Sequence, residues 1–174
     1  MLSNTNCLTA LNALLIGGLV LAVACDIRSR RIPNWITLPL MLCGICLNTA
    51  ASGWSGLGES LGGLVLGMAL LLPIWLAGGT GAGDVKLLAM IGALRGMAFA
   101  LWTGLFGAVA GGILAFIAIL FRKGGGKILR NVWAHIYRFT VLQTPGAIQP
   151  TDSSFRMSYA LAIALGALAA ALYR

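Results

Sequence analysis

Long apolar runs joined by short polar stretches make up most of the chain. Five runs are about 20 residues long, the length that an α-helix needs to cross the hydrocarbon core of a bilayer. They cover residues 7–25, 36–51, 61–77, 97–121 and 155–173, and a shorter run covers 85–94 and is broken by Arg95 and Gly96. The shorter run is either a short, tilted span or a re-entrant segment. The pattern predicts an all-α polytopic membrane protein with about six transmembrane helices, one of them short, in a single membrane-embedded domain over residues 1–174.

The composition agrees with a membrane location. Of the 174 residues, 59% are hydrophobic and only 9% are charged, whereas about a quarter of the residues of a soluble domain are charged. A net charge of +8 would indicate a nucleic-acid partner in a soluble protein. In a membrane protein it is explained by cytoplasmic loops rich in Lys and Arg, so no nucleic-acid partner is expected.

The distribution of basic residues predicts the orientation. No Lys or Arg precedes the first run, and Arg28, Arg30 and Arg31 follow it. This order is the reverse of that in a secretory signal peptide. The positive-inside rule places the three arginines in the cytoplasm, and six crossings then leave both termini on the periplasmic side. The polar segment 52–60 is expected to be an outer loop.

A basic stretch from Arg122 to Arg138 follows the fifth run. Apolar residues such as Ile128 and Val132 recur there at helical spacing, and Lys127 and Arg130 lie on the opposite face. This pattern predicts a cytoplasmic amphipathic helix that lies on the anionic inner leaflet of the bilayer.

The cysteines give little support to a metal site. Cys43 and Cys46 have the spacing of half a zinc site, but they lie inside an apolar run with no second pair and no histidine nearby. We interpret these two residues, together with Cys7 and Cys25, as small buried apolar residues. No metal is expected.

One stretch combines a glycine-rich turn with a single acid. From Gly78 to Gly96 the sequence reads GGTGAGDVKLLAMIGALRG. Glycines permit an open turn and the close approach of another backbone, and an acid in a membrane segment is a candidate functional residue. The simpler alternative is that Asp84 caps the following helix, because Asp is favoured at the N-cap.

A second acid, Asp26, is predicted to lie at the same membrane depth as Asp84. Asp26 follows the first run on the cytoplasmic side, and the third run returns the chain to that side before Asp84. An ion pair with a neighbouring arginine is the simpler alternative for Asp26. Two adjacent carboxylates that share a proton can act as general base on a water and as general acid toward a carbonyl oxygen. The pair is typical of an aspartic protease.

The residues around both acids closely resemble the prepilin peptidase family of GxGD membrane aspartic proteases. The shared features are the spacing D-x(6)-P-N from Asp26 to Asn34 and the segment GAGDVKLLAMIGALRG that starts at Gly81. The last apolar run, SYALAIALGAL, is similar to the final helix of that family, although Ser158 stands where proline is usual. The resemblance covers nearly the whole chain.

The resemblance implies which residues form the site. Asp26 and Asp84 would be the two catalytic aspartates, and Gly81 and Gly83 would shape the turn that carries Asp84. The supporting residues of the motif are Pro33, Asn34 and Lys86.

The resemblance also implies the substrate. The family removes the basic leader from type IV prepilins and pseudopilins at the cytoplasmic face of the bacterial inner membrane. The segment between Asp26 and Pro33 is too short for the cytoplasmic insert of the larger, bifunctional members. The chain therefore resembles the short peptidases of Flp (Tad) pilus systems, and neither methyl transfer nor a cofactor such as S-adenosylmethionine is expected.

Two other functions fit the same acids. A proton-coupled small membrane transporter would use them as a relay, but it would also require polar residues along the spans toward the outer side, where Glu59 is the only acid. A non-catalytic membrane subunit of a pilus or secretion assembly would use them only as helix caps and would tolerate Asp→Asn at both positions. The sequence leaves a homo-oligomer open.

Overall fold

The computed structural model describes residues 4–29, 31–77, 79–120 and 159–173, and the regular structure in these segments is entirely helical. The helices are α1 (Asn4–Ser29), α2 (Asn34–Leu76), α3 (Ala82–Leu120) and α4 (Tyr159–Tyr173). Among the described residues, three helical segments are long and apolar enough to cross a membrane, namely Asn6–Ser29, Asn34–Leu76 and Ala82–Ile117, and α4 is shorter. The predicted all-α membrane class is confirmed.

Helix α2 reverses its direction at Gly53. The backbone there has φ 62°, a conformation that glycine adopts without steric cost. Residues on both sides of Gly53 contact the same part of α3, because a Cβ added at Gly44 would lie 2.7 Å from the Ala93 oxygen and a Cβ added at Gly63 would overlap the Gly92 oxygen. The predicted loop over 52–60 is therefore wrong. One glycine makes the turn, and the residues on either side of it remain helical.

Helix α3 reverses its direction in the same way at Gly96, where φ is 82°. The side chain of Leu88 lies 3.5 Å from the position of a Cβ on Gly104, so the second part of α3 returns along the first. We name the first part, residues 82–95, α3a, and the part after Gly96 α3b. The predicted break of this helix at residues 95–96 is confirmed.

Helix α3a is the centre of the described structure. Its residues from Leu87 to Leu94 are fully buried or nearly so, because α1, both parts of α2 and α3b surround it. A helix that is apolar on every side is expected when all of its faces are covered by protein. This enclosure accounts for the short apolar run at 85–94, which the sequence left open between a short span and a re-entrant segment.

Glycines allow α2 to pack directly on the backbone of α3a. A Cβ added at Gly67 would lie 2.5 Å from the Leu88 oxygen, and one added at Gly92 would overlap the Gly63 oxygen. Small residues at helix contacts let backbones approach closely, which is a common way to join helices in lipid. Gly58, by contrast, has nothing within 4 Å. The α2–α3a contact therefore depends on particular glycines.

The four cysteines differ in their exposure. Cys7 is buried, but Cys43 and Cys46 are exposed, so the prediction that all the cysteines are buried is wrong. They lie on a face of α2 that no other described helix covers, and an apolar face of that kind suits contact with lipid. The predicted amphipathic helix at Arg122–Arg138 lies outside the described residues.

Candidate active site

Asp84 lies in the first turn of α3, where its carboxylate holds the start of the helix. The Gly81 N–H donates a hydrogen bond of 3.0 Å to Asp84 Oδ2, and the Asp84 N–H donates one of 3.0 Å to the Gly81 oxygen. An acid at the third helical position that accepts the N-cap N–H is half of a capping box. Asp84 is therefore not the N-cap residue of the simpler alternative, although it does help to cap the helix. Its residue is only 8% exposed.

Asp26 approaches Asp84 from α1. It lies one turn before the end of α1 at Ser29 and is half-buried. Asp26 acts on the Asp84 carboxyl by electrostatic repulsion, and this effect is smaller than those of burial and of the Gly81 hydrogen bond. The packing explains their approach, because Gly18 of α1 lies against Met90 of α3a and both helices extend from that contact toward the two acids. The two acids thus lie at the same end of α1 and α3a.

Gly83 lets the chain after α1 lie against the first turn of α3. A Cβ on Gly83 would lie 3.1 Å from Ile32 Cβ and 3.4 Å from the Ile32 nitrogen. Gly81 has a different surrounding, since the nearest atom to its Cβ position is Asp84 Oδ2 at 3.3 Å. One glycine therefore admits the neighbouring segment, and the other leaves room beside the carboxylate.

Pro33, Asn34 and Lys86 form the side of the site next to α2. Pro33 occupies the N-cap position of α2 with an extended backbone, φ −73° and ψ 142°. Lys86 Nζ donates a hydrogen bond of 2.9 Å to Asn34 Oδ1. Asn34 and Lys86 thus join the start of α2 to α3a.

The structure adds two side chains that the sequence did not single out. Tyr159, the first residue of α4, is half-buried and interacts electrostatically with Asp84. Thr80 Oγ1 is buried in the turn before α3 and has no hydrogen-bond partner among the described residues. A tyrosine at the edge of an apolar run is a weak signal, because tyrosine collects at membrane interfaces in general.

The arrangement presents two carboxylates, a glycine turn and a tyrosine at one end of the helices. Within the described segments, no group of three or more His, Cys, Asp or Glu side chains is placed to hold a metal ion. Paired carboxylates share a proton and can exchange the roles of acid and base.

A comparison with known families decides the identity of the chain. The type IV leader peptidase family matches residues 13–120. The chain belongs to this family. The matched segment contains α1 from residue 13 onward, α2 and α3, and with them both aspartates and every motif residue described above.

One curated relative supports the assignment. Over 117 residues the chain is 32% identical to a prepilin leader peptidase/N-methyltransferase of Stutzerimonas stutzeri. The aligned part covers 63% of this chain and 40% of the relative, so the chain spans about two-fifths of the relative's length. No solved structure matches the chain.

Proposed function

We propose that the protein is an aspartic endopeptidase that removes the basic leader from type IV prepilins and pseudopilins. The observation that carries the proposal is the approach of Asp26 and Asp84, from two different helices, in a chain of the leader peptidase family. The capping bond from Gly81 to Asp84 supports it, because that bond orients one carboxylate before any substrate is bound.

The proposed reaction uses the two carboxyl groups in opposite protonation states. The ionised carboxylate takes a proton from a water while the water oxygen attacks the scissile carbonyl carbon. The protonated partner donates its proton to the carbonyl oxygen. When the tetrahedral intermediate collapses, the C–N bond breaks and the amine nitrogen receives the proton held by the first aspartate. A hydroxyl group of the intermediate returns its proton to the second aspartate as the new carboxyl group forms. Water is consumed, and the two aspartates return to a shared proton.

The surroundings of Asp84 suit an extended peptide. A helical substrate hides its peptide bonds, so the cleaved segment must unwind where protein or water satisfies its polar groups. Gly81 and Gly83 lack side chains beside the carboxylate, and Thr80 offers a buried hydroxyl without a partner among the described residues. We propose that the leader junction lies along this turn.

The membrane arrangement follows as part of the proposal. The two parts of α2 and the part of α3 after Gly96 are each about 20 residues long, which suits separate crossings. With α1, the short α3a and α4, this arrangement gives six helices across the bacterial inner membrane, with the aspartates on the cytoplasmic side and both termini in the periplasm. The basic stretch Arg122–Arg138 would then face the anionic inner leaflet.

The proposal is limited to peptide cleavage by the short, Flp-type peptidases. The relative is also named an N-methyltransferase, but this chain covers two-fifths of it. Only six residues separate Asp26 from Pro33 in the sequence, and the first three of them belong to α1. This link therefore leaves no place there for a cytoplasmic insert. We propose no methyl transfer and no S-adenosylmethionine for this chain.

The test is leader cleavage in membranes that contain the protein and a Flp-type prepilin. Asp26→Asn and Asp84→Asn should each lower the cleavage rate by at least about 100-fold, since general acid–base catalysis contributes that much or more. Asn at position 84 can still accept the Gly81 N–H, so the helix start is preserved. Glu59→Gln removes an acid at the other end of the helices and should cleave like the wild type.

Two results would contradict the proposal. Normal cleavage by either Asp→Asn variant would show that the substituted aspartate is not catalytic and serves only as a helix cap or a surface acid. Loss of cleavage in Glu59→Gln as well would indicate a general effect of removing a negative charge. Comparison of the amounts of each variant in the membrane separates loss of activity from loss of the protein.

A further inference from the structure

Tyr159, the first residue of α4, packs its ring on a glycine of α3b. Its Cε2 atom lies 3.0 Å, and its Cζ atom 3.6 Å, from the position of a Cβ on Gly111. Cζ is the ring carbon that carries the hydroxyl group, so the edge of the ring next to the hydroxyl lies against Gly111. A side chain at position 111 would displace the ring. The glycine therefore helps to set where the Tyr159 hydroxyl lies.

The pairing of α3a with α3b places Gly111 at the same end of the helices as Asp84. The side chain of Leu88 lies 3.5 Å from the position of a Cβ on Gly104, where the two antiparallel parts of α3 meet. Because an α-helix rises about 1.5 Å per residue, Asp84 lies about 6 Å and Gly111 about 10 Å from that contact, in the same direction. The ring of Tyr159 is thus placed near the level of Asp84.

Close backbone contacts hold α4 in this register along α3b. A Cβ on Gly166 would lie 2.5 Å from both the Gly107 nitrogen and the Thr103 oxygen. A Cβ on Gly107 would in turn lie 3.5 Å from the Ala162 oxygen. Small residues allow this approach of two helices, and a shift of α4 along its axis would bring larger side chains into the contact. The position of Tyr159 is therefore fixed by the packing of the whole helix.

Tyr159 and Asp84 interact across this end of the helices. The interaction between the phenol and the carboxylate is electrostatic. The carboxylate accepts its hydrogen bond from the Gly81 N–H, and within the described segments no hydrogen bond joins it to Tyr159. Tyr159 is only half-buried. Its hydroxyl is therefore close to the site without being used to hold Asp84.

Two other side-chain donors near Asp84 are placed differently. Lys86 Nζ donates to Asn34 Oδ1 at the start of α2, and the Thr80 hydroxyl belongs to the turn that precedes Asp84. A tyrosine hydroxyl keeps its proton at neutral pH and can donate it in a hydrogen bond. Tyr159 is the donor that α4 brings to the aspartates.

We propose that the Tyr159 hydroxyl donates a hydrogen bond to the carbonyl oxygen of the scissile peptide bond while water attacks the carbonyl carbon. This inference rests on the proposed peptidase function. Negative charge develops on that oxygen in the transition state, and a donor that is already in place stabilises it. Tyr159 keeps its proton throughout, so the protonated aspartate remains the acid and the proton balance of the reaction is unchanged. Tyr159 is then a catalytic residue, because it contacts a reacting atom.

Tyr159→Phe tests the hydroxyl alone, because phenylalanine keeps the ring against Gly111. With a Flp-type prepilin, this variant should lower kcat for leader cleavage by about 100-fold, the loss expected when one donor to a developing oxyanion is removed. KM should be nearly unchanged. Tyr173→Phe is the matched control at the other end of α4, where the Tyr173 ring centre lies 4.7 Å from that of Trp102. It should cleave like the wild type.

Gly111→Ala tests the position of the ring. The added Cβ would lie 3.0 Å from Tyr159 Cε2, so the ring must shift and kcat should fall. Gly112→Ala is the neighbouring control, since its Cβ would have nothing within 4 Å, and it should match the wild type. In the Tyr159→Phe background, Gly111→Ala should cause little further loss, because both changes act on the same hydroxyl.

A photo-crosslink tests the contact without cleavage. The Asp84→Asn variant keeps the prepilin intact, and p-benzoylphenylalanine is introduced in place of Tyr159 in that background. It should crosslink to the prepilin at the residues next to the cleavage site. The same group in place of Tyr173, at the far end of α4, should give no crosslink at those residues.

Three results would overturn the inference. An unchanged kcat in Tyr159→Phe would remove the role of the hydroxyl, and a raised KM at normal kcat would make it a contact to the bound substrate only. Absence of the crosslink next to the cleavage site would place the substrate elsewhere. If Asp26→Asn and Asp84→Asn are inactive, these results leave the proposed peptidase function standing. Normal cleavage by either of those variants would contradict the proposed function and this inference together.

Discussion

Lys86 Nζ donates a hydrogen bond of 2.9 Å to Asn34 Oδ1 and so joins the first residue of α2 to the helix that carries Asp84. The two residues are distant in sequence, and the segment between Asp26 and Asn34 is short. The bond therefore limits how far α1 and Asp26 can move from α3a. In the proposed peptidase, Lys86 is a positioning residue, because its bond to Asn34 helps to fix the distance between the two aspartates.

A double-mutant cycle tests the bond between Lys86 and Asn34. Lys86→Met and Asn34→Ala should each lower kcat/KM for leader cleavage by up to about tenfold, because a single hydrogen bond near solvent contributes on the order of 1 kcal/mol. The double variant should be no slower than the slower single variant, since both remove the same contact. Losses that multiply would indicate that the two residues act independently.

Gly83→Ala tests the contact between the first turn of α3 and the chain after α1. The added Cβ would lie 3.1 Å from Ile32 Cβ and 3.4 Å from the Ile32 nitrogen, so the segment must shift and Asp26 with it. Overpacking of this kind costs about 1–3 kcal/mol, and leader cleavage should fall by about tenfold or more. Gly112→Ala, also in α3, has nothing within 4 Å and should cleave like the wild type. Equal activity of the two variants would contradict the prediction.

Gly63→Ala tests whether α2 requires direct contact with the backbone of α3a. A Cβ at position 63 would overlap the Gly92 oxygen, whereas a Cβ at Gly58 in the same helix has open space. We expect Gly63→Ala to lower the amount of folded protein in the membrane and its thermal unfolding midpoint. Gly58→Ala should match the wild type in both measurements. A stable Gly63→Ala protein would show that the two helices can separate without loss of the fold.

Asn48→Ala and Ser60→Ala test how the break in α3 at Gly96 is stabilised. Asn48 Nδ2 donates hydrogen bonds to the Ala93 and Leu94 oxygens at 3.1 and 3.2 Å, and Ser60 Oγ donates one of 2.5 Å to the Ala93 oxygen. These oxygens end α3a and have no partner within the helix.

Asn48→Ala should destabilise the protein by about 1–3 kcal/mol, the cost of leaving the Leu94 oxygen without a partner. Ser60→Ala should cost about 1 kcal/mol, the net contribution of one hydrogen bond, because the Ala93 oxygen keeps its bond from Asn48. Thr49→Ala is the matched control, because the Thr49 hydroxyl donates only to the Ile45 oxygen of its own helix, at 2.7 Å. The measurement is thermal unfolding in one detergent. If Thr49→Ala lowers the unfolding midpoint as much as Ser60→Ala does, the bonds from α2 to the end of α3a do not stabilise the break at Gly96.

Part of the site was predictable because it depends on local chemistry. Asp84, among glycines and before an apolar run, is visible in one short stretch of sequence. Asp26 comes at the end of another apolar run, and the length of a helix that crosses the membrane predicts the depth of the residue at its end. The pairing of the two acids needed only the number of crossings between them. The role of Lys86 was not predictable, because its partner Asn34 belongs to a different helix and side-chain contact depends on how the two helices are rotated.

The positive φ angles at Gly53 and Gly96 were also not predictable from the sequence. The sequence places many glycines near both turns, but only these two described glycines have positive φ. The polar segment 52–60, between two apolar runs, is predicted to be an outer loop. It is helical because Ser60 and Gly56 pack inside the structure, and burial there favours the helix over the local preference for a turn.

The sequence by itself determined that this protein is a helical membrane protein with an acid before its shortest apolar run, since hydropathy and helix length depend only on residue type and number. The tertiary structure alone decided which glycines turn, which face of each helix meets another, and that α3a is enclosed while Cys43 and Cys46 are exposed. These features depend on contacts between distant residues. The free energy of each contact depends on the packing of all the helices together, so no single stretch of the sequence predicts it.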